Sequence, residues 1–166
     1  MAGKAQVVVF ASQKGGSGKT TVSAHMAVQA ELSGAGPVAL VDTDPQGSMA
    51  KWWNARSSAV PAFARISVPD LGRDIKLLED AGYRLIIIDT PPAVTSTIAE
   101  VITHADLVVL PTRPRPHHLR PFGPTVHLVQ MHRKPLVLVL HPATARARIP
   151  GQTPLPPAPP PPRAPA

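Results

Sequence analysis

The chain has 166 residues, of which 43 % are apolar, and it contains no cysteine. The length suits one domain with a single core, and the lack of cysteine excludes disulfides, zinc–thiolate sites and iron–sulfur clusters. No run approaches the roughly 20 apolar residues of a membrane span, and the first apolar run is too short for a signal peptide. We therefore expect a cytoplasmic protein with no membrane partner.

The net charge of +7 is unevenly distributed. Residues 1–106 carry nine Lys and Arg and ten Asp and Glu, whereas residues 107–166 carry eight basic residues and no acid. Sixteen of the 22 prolines follow Leu110. The sequence thus changes character near Pro111.

Strand and helix patterns alternate along the first two thirds of the chain, which predicts an α/β fold with a mostly parallel sheet flanked by helices. Continuous aliphatic runs indicate strands buried on both faces. The strands are predicted at Gln6–Ala11, Pro37–Val41, Ala62–Val68, Arg84–Ile88, Asp106–Leu110 and Pro135–Leu140.

Helices are predicted between these strands from apolar residues at helical spacing. In the first helix this stripe is Val22, Met26 and Ala30, and Gly34 supplies the stop. The helices are predicted at Lys19–Ser33, Gln46–Ser57, Pro69–Ala81, Thr95–His104 and His117–His132, the last interrupted near its start by Pro121 and Pro124.

A glycine-rich segment, KGGSGKTT, joins the first strand to the first helix, which is the context of a phosphate-binding P-loop. The strict pattern would place a glycine at Gln13. Lys19 is predicted to reach the β- and γ-phosphates of a nucleotide, and Thr20 to offer its hydroxyl to Mg²⁺. A glycine-rich surface turn is the alternative, which the register of strand, loop and helix disfavours. The predicted ATP phosphate-binding residues are Gly15, Gly16, Ser17, Gly18, Lys19, Thr20 and Thr21.

Acidic residues follow the two strands PVALV and RLIII. Carboxyl ends of parallel strands form the edge at which ligands of open α/β sheets bind. Asp89 suits a second Mg²⁺ position, usually reached through water. Asp42 and Asp44 share one side of an extended backbone, so that one would orient an attacking water and the other a metal-bound water. The alternative is that these acids only cap strands or form turns.

The motifs KGGSGKTT, VDTDPQGS and LIIIDTPP, in this order and spacing, resemble the ParA family of partition ATPases, in the deviant-Walker-A class, from about Val7 to Leu140. The resemblance implies that Lys14 is the signature lysine, which reaches the partner's phosphates across an ATP-sandwich homodimer. It makes Asp44 the acid needed for hydrolysis, Thr20 a direct Mg²⁺ ligand, and Asp42–Gly47 and Asp89–Pro92 two switch segments. The residues expected to hold Mg²⁺ are therefore Thr20, Asp89 and Asp42.

The resemblance also implies a function in plasmid or chromosome segregation. An ATP-bound dimer would bind DNA nonspecifically, and a ParB-like activator would trigger hydrolysis and release the dimer from DNA. Other members of the class fit this sequence less well. Nitrogenase iron proteins need cysteines, which are absent, and MinD-like proteins end in an amphipathic membrane helix, which the proline-rich end of this sequence is not expected to form. Bacterial tyrosine kinases carry a tyrosine cluster, whereas Tyr83 is the only tyrosine here. Two alternatives stay open: a truncated nucleotide-binding module without hydrolysis, and another cargo-positioning ATPase of the class.

The sequence departs from the family pattern at His141, where an adenine-contacting asparagine usually follows the strand. Residues 1–141 are predicted to form a partial ATPase domain, and residues 142–166 a disordered proline-rich tail. The tail is explained either by an altered reading frame near His141–Pro150 or by a natural linker or peptide ligand. A sheet without its last strands leaves an unpaired edge, so we expect marginal stability or a dimer that covers the edge.

Three further features have competing interpretations. Basic residues after Leu110 form either a DNA-facing surface or a solvated one. Trp52 and Trp53 diverge on a helix, so one is expected in the core and the other at a partner. His117 and His118 point apart and suit a surface role better than a metal site. The basic residues are Arg113, Arg115, Arg120, Arg133, Lys134, Arg146 and Arg148, with Lys51 and Arg56 as weaker candidates.

Overall fold

The computed structural model of the protein describes residues 3–12, 15–92, 95–112 and 122–140. The strands in this part of the chain are β1 Gln6–Phe10, β2 Val38–Asp42, β3 Ala62–Arg65, β4 Leu85–Asp89, β5 Leu107–Thr112 and β6 Leu136–Leu140. The helices are α1 Lys19–Leu32, α2 Ser48–Asn54, α3 Leu71–Asp80, α4 Thr95–Thr103 and α5 Phe122–Met131, with a 3-10 turn at Val68–Asp70 before α3.

The six strands form one sheet in the order β3-β2-β4-β1-β5-β6, and every neighbouring pair is parallel. The predicted α/β fold with a parallel sheet is confirmed. The register brings the carboxyl ends of three strands together, since Asp89 is level with Phe10 on one side and with Asp42 on the other. Residues that lie far apart in sequence thus meet at one edge of the sheet.

Helices cover both faces of the sheet. Helices α1 and α2 pack on one face, and α3, α4 and α5 on the other. The side chains of Ile86, Ile87 and Ile88 in β4 are therefore fully buried although they point to alternate faces. This explains why the central strands have continuous aliphatic sequences.

The buried face of α1 differs from the predicted stripe. Ala24 and Ala27 face the sheet and are at most 1 % exposed, whereas Met26 is 37 % exposed. Val22 and Ala30 are only half-buried. The predicted helix itself is confirmed, and Val22 and Ala30 do pack against the core. Small residues let the helix approach the sheet closely, and Met26 lies at its exposed flank.

Helix α2 is shorter than predicted, beginning at Ser48 rather than Gln46. The chain before it forms a turn in which Gly47 has a φ of 65°, a conformation that favours glycine. Both tryptophans of α2 are half-buried, and Trp52 packs against the core beside α1. Trp53 donates its indole N–H to the Pro61 carbonyl at 2.9 Å, and Trp52 packs beneath the Arg56 guanidinium, 4.9 Å from its ring centre.

The two edges of the sheet differ in character. Strand β3 is four residues long, follows Pro61 and ends at the exposed Arg65. Strand β6 is entirely aliphatic, and Val137, Leu138 and Leu140 are 45 %, 54 % and 65 % exposed. Among the described residues, β6 has β5 as its one neighbouring strand.

Several predictions from the sequence fall outside the described residues. They concern Lys14, the histidine pair, most of the basic residues after Leu110, the domain boundary at residue 141 and the tail of residues 142–166. They remain predictions.

Candidate phosphate-binding site

A cleft of about 410 Å³ opens where the loop after β1 meets the carboxyl edge of the sheet. Its walls come from three segments that are separate in sequence: the glycine-rich loop, the turn after β2 and the segment after β4. The lining residues are Gly15, Gly16, Ser17, Gly18, Lys19, Thr20, Thr21, Asp44, Gln46, Ser48, Thr90 and Pro92.

The glycine-rich loop has a backbone that only glycine adopts without strain. Gly16 and Gly18 have φ values of 72° and 90°, and α1 begins directly after Gly18. The first amides of a helix lack intrahelical partners and attract anions. Ser17 lies at the same place, 4 % exposed and with a hydroxyl that has no hydrogen-bond partner in the described part of the chain. The loop is thus built to accept phosphate oxygens.

Lys19 is a buried cation in the floor of this cleft. Its side chain is 6 % exposed. Burial lowers the pKa of its ammonium group, and the nearby Asp89 and Asp44 carboxylates act in the opposite direction. A phosphate group bound in the cleft would add the negative charge that stabilises this ammonium.

Thr20 and Asp89 meet beneath the loop, where the Thr20 hydroxyl donates a hydrogen bond of 2.6 Å to Asp89 Oδ2. The other oxygen of Asp89 is buried and has no partner among the described residues, and the same is true of Asp42 Oδ2. Burial raises the pKa of Asp89 to about 6, although Thr20 and Lys19 act against this shift. Burial likewise raises the pKa of Asp42.

These unpartnered oxygens fit a magnesium ion. Mg²⁺ prefers oxygen ligands and is usually held by one or two carboxylates together with substrate phosphates and water. The described residues contain no group of three or more His, Cys, Asp or Glu side chains suited to a metal.

Asp44 forms the wall opposite the loop, in a turn held by short hydrogen bonds. Its amide donates to Asp42 Oδ1 at 2.9 Å, and its own carboxylate accepts the Gln46 amide at 2.9 Å. Asp44 also lines a second cavity of about 310 Å³ on the β3 side, together with Asp42 and Arg65. The carboxylate therefore lies between the cleft and this side cavity.

Hydrogen bonds to backbone carbonyls tie the ends of three strands together below the cleft. The carbonyl of Asp89 accepts the Thr43 amide at 3.1 Å and the Thr43 hydroxyl at 2.9 Å. The Thr90 hydroxyl donates to the Phe10 carbonyl at 2.8 Å. The two expected switch segments are thus linked through the floor of the site.

The structure brings the described candidate residues to one edge of the sheet. Asp42 lies beside Asp89 but lines the side cavity rather than the cleft. Two contributors were not expected from the sequence. Ser48 lines the cleft, and Arg65 donates to the Pro45 carbonyl at 3.2 Å, which holds the turn before α2. Because Arg65 ends a parallel strand, its place at the carboxyl edge of the sheet could have been predicted from the sequence.

None of the helices in the described residues is long and apolar enough to cross a membrane.

Comparison with known proteins gives relatives along most of the chain. The family model of the CobQ/CobB/MinD/ParA nucleotide binding domain matches residues 8–117. The maintenance of carboxysome distribution protein A of Gloeobacter kilaueensis is 43 % identical over 125 residues, covering 74 % of this chain and 56 % of the relative. Protein ParA of Rhizobium radiobacter is 32 % identical over 111 residues, covering 66 % of this chain and 49 % of the relative. The chain therefore spans about half the length of these curated relatives.

Solved structures share the fold. A plasmid partition protein from Borrelia burgdorferi aligns with a TM-score of 0.64 at 18 % identity, covering 83 % of this chain and 79 % of that one. An ATP complex of a McdA variant from Cyanothece aligns with a TM-score of 0.66 at 19 % identity, covering 82 % of this chain and 70 % of that one. With its P-loop, its strand-end acids and more than half of its residues matched, the chain belongs to the CobQ/CobB/MinD/ParA family of nucleotide-binding domains.

Proposed function

We propose that the chain is the nucleotide-binding part of a magnesium-dependent ATPase that acts as a nucleotide-switched dimer. One observation carries the proposal: the Thr20–Asp89 hydrogen bond of 2.6 Å at the start of α1, with an unpartnered Asp89 oxygen beside it. A hydroxyl and a carboxylate placed together beneath a phosphate loop form the usual cation position of P-loop NTPases.

The residues of the site have separate roles in this proposal. The loop amides and Lys19 bind the β- and γ-phosphates. Thr20 and Asp89 hold Mg²⁺, with Asp42 as a further oxygen donor beside Asp89. The ion would neutralise charge on the phosphate oxygens and on the leaving group. Asp44 orients the attacking water at the mouth of the cleft.

The dimer follows from the predicted role of Lys14, which reaches the phosphates of a second copy across an ATP sandwich. Nonspecific DNA and a ParB-like activator are the proposed partners, and the protein would then associate with the nucleoid. A solved structure of similar fold, pNOB8 ParA, is bound to nonspecific DNA, with a TM-score of 0.53 at 22 % identity.

The cargo has two candidates. Plasmid or chromosome segregation is supported by the relatives named ParA and Soj. Positioning of a protein body is supported by two curated carboxysome distribution proteins, 43 % and 30 % identical to this chain. Deleting the gene and measuring plasmid loss, chromosome loss and the spacing of such bodies separates the two candidates.

ATP turnover by the purified chain tests the enzymatic proposal, measured with and without Mg²⁺ and DNA. Lys19→Ala should abolish binding and turnover, whereas Asp44→Ala should retain binding and lose turnover. Lys76→Ala and Asp80→Ala are matched controls, because both residues are exposed on α3 and neither lines the cleft. Nucleotide binding without turnover in the unmodified chain would instead support the non-hydrolysing module.

A further inference from the structure

Arg65 ends strand β3 at the carboxyl edge of the sheet, next to the acids of the candidate site. It is level with Asp42 in the pairing of β2 with β3, and residues at the same level of neighbouring parallel strands point to the same face of a sheet. Both residues accordingly line the side cavity of about 310 Å³. Arg65 does not line the phosphate cleft, so it can affect a bound nucleotide only through other residues.

Residues 44–47 form a turn between β2 and α2, and Asp44 and Gln46 line the cleft from this turn. The Gly47 amide donates to the Asp44 carbonyl at 3.1 Å, which closes a four-residue β-turn with a proline at its second position. The Gln46 amide donates to Asp44 Oδ1 at 2.9 Å. These two hydrogen bonds lie within the turn, so they fix its shape but not its position relative to the cleft.

Open space lies on both sides of this turn. The cleft of about 410 Å³ is on one side, the side cavity of about 310 Å³ is on the other, and Asp44 lines both. Close packing fixes the positions of groups in protein interiors, but it does little on these two sides of the turn. The position of the Asp44 carboxylate therefore depends on contacts that reach the turn from a neighbouring element.

The guanidinium of Arg65 makes such a contact. Its Nη2 donates to the Pro45 carbonyl, in the middle of the turn, at 3.2 Å. The group also lies beside Gly47, where an added methyl group would be 3.7 Å from Arg65 Cζ. A guanidinium presents its N–H donors in a rigid plane, and β3 is held in place by its pairing with β2. Arg65 thus connects the turn to the sheet.

We propose that Arg65 is a positioning residue for ATP hydrolysis, which holds the turn of residues 44–47 so that the Asp44 carboxylate stays at the mouth of the cleft. The inference rests on the proposed function, because Asp44 is the residue that would orient the attacking water. Phosphate and Mg²⁺ binding are assigned to other segments, the glycine-rich loop, the start of α1 and the end of β4. Loss of Arg65 should therefore reduce turnover and leave nucleotide affinity intact.

ATP turnover and nucleotide affinity of the full chain are the first test. Arg65→Met keeps an aliphatic side chain and removes the donors. We expect its kcat to fall by about tenfold or more, because a misplacement of about 1 Å in an active site can cost about a hundredfold in rate. KM and the Kd for ATP should stay the same. Arg65→Lys should recover part of the turnover, since an ammonium group can also donate to a carbonyl.

Arg84→Met is the matched control. Arg84 is likewise an exposed arginine at the end of a strand, and it donates to the Gly34 carbonyl at 2.7 Å. Neither of these residues lines the cleft, so kcat and KM should be unchanged. Equal losses of kcat in Arg65→Met and Arg84→Met would overturn the proposal, as would a raised KM with an unchanged kcat in Arg65→Met.

Amide hydrogen exchange without nucleotide is the second test, and it reports on the turn whether or not ATP is hydrolysed. Arg65→Met should speed exchange of the Gln46 and Gly47 amides and leave the Gly34 amide unchanged. Arg84→Met should have the reverse effect, because its hydrogen bond holds the other turn. Unchanged exchange at residues 46 and 47 in Arg65→Met would overturn the proposal.

The two tests separate failure of this inference from failure of the proposed function. Binding of ATP without turnover in the unmodified chain would overturn the proposed hydrolysis, and with it the role of Arg65 in catalysis. Turnover that is lost in Asp44→Ala but kept in Arg65→Met would leave the proposed function standing and overturn this inference alone.

Discussion

At the scale of single residues, the site is defined by charges buried before any ligand arrives. Lys19 is 6 % exposed, and Asp89 is 1 % exposed. Burial of isolated charges is unfavourable unless they are paired. The charges of Lys19, Asp89 and Asp44 compensate one another in part. The free-energy cost of burial that is not compensated raises the pKa of Asp89. The buried charges therefore lower the folding stability of the chain at the place where ligands are expected to bind.

The raised pKa of Asp89 predicts a specific dependence of stability on pH. Its pKa of about 6 in the folded chain exceeds the ordinary value of 3.8, so the folded state binds the proton more tightly than the unfolded state. This contribution is present in full below about pH 4 and is lost as pH rises through about 6. The loss is on the order of 3 kcal/mol.

The measurement compares the unfolding free energy of the unmodified chain with that of Asp89→Asn, without Mg²⁺, between pH 4 and pH 8. We expect the unmodified chain to lose stability relative to the variant across this range. Asp80→Asn is the control, because Asp80 is 65 % exposed, and it should follow the unmodified chain. A constant difference between the unmodified chain and Asp89→Asn would contradict the prediction.

At the scale of elements, α1 connects the site to the core. Its first turn supplies Lys19 and Thr20, and its small residues Ala24 and Ala27 hold it against the sheet. The position of the phosphate-binding residues thus depends on how closely this helix packs.

Ala27→Leu should therefore destabilise the chain. Ala27 is fully buried, and a larger side chain there forces the helix away from the sheet at a cost of about 1–3 kcal/mol. Nucleotide affinity should fall as well, because Lys19 and Thr20 move with the helix. Chemical denaturation and a nucleotide titration provide the two measurements. Met26→Leu is the control, since Met26 lies at the exposed flank, and equal stability losses in both variants would refute the argument.

Much of this arrangement was predictable from the sequence. Aliphatic runs such as the three isoleucines of β4 are buried on both faces, so their strands and the acids that follow them could be placed at one edge of the sheet. The face of α1 that packs on the sheet could not be predicted, because alanines contribute little to a hydrophobic periodicity whereas Met26 contributes strongly. Arg65 contacts the turn before α2 because β3 pairs with β2, and local patterns contain the strand-end position of Arg65 but not this pairing.

At the scale of the whole molecule, ligand binding should be visible as a gain in stability. A ligand at one hundred times its Kd stabilises the folded state by about 2.7 kcal/mol. For a chain of this size each kcal/mol corresponds to about 2–4 °C in Tm. Mg²⁺ with ATP should therefore raise the Tm by roughly 5–10 °C.

Differential scanning calorimetry with increasing ATP, with and without Mg²⁺, checks this expectation. Lys19→Ala should lose the shift, and Lys51→Ala should keep it, because Lys51 is exposed on α2 and does not line the cleft. An unchanged Tm at millimolar Mg²⁺ and ATP in the unmodified chain would contradict nucleotide binding.

The hydrogen bonds from Thr43 to the Asp89 carbonyl and from Thr90 to the Phe10 carbonyl join β1, β2 and β4 below the cleft. A floor fixed in this way has little conformational entropy left to lose when a nucleotide binds. Ordering on binding is then confined to the loops above it, which reduces the entropic penalty of association. Calorimetric binding entropy would therefore become more unfavourable in Thr43→Val, which removes one of these hydrogen bonds and leaves the cleft lining unchanged.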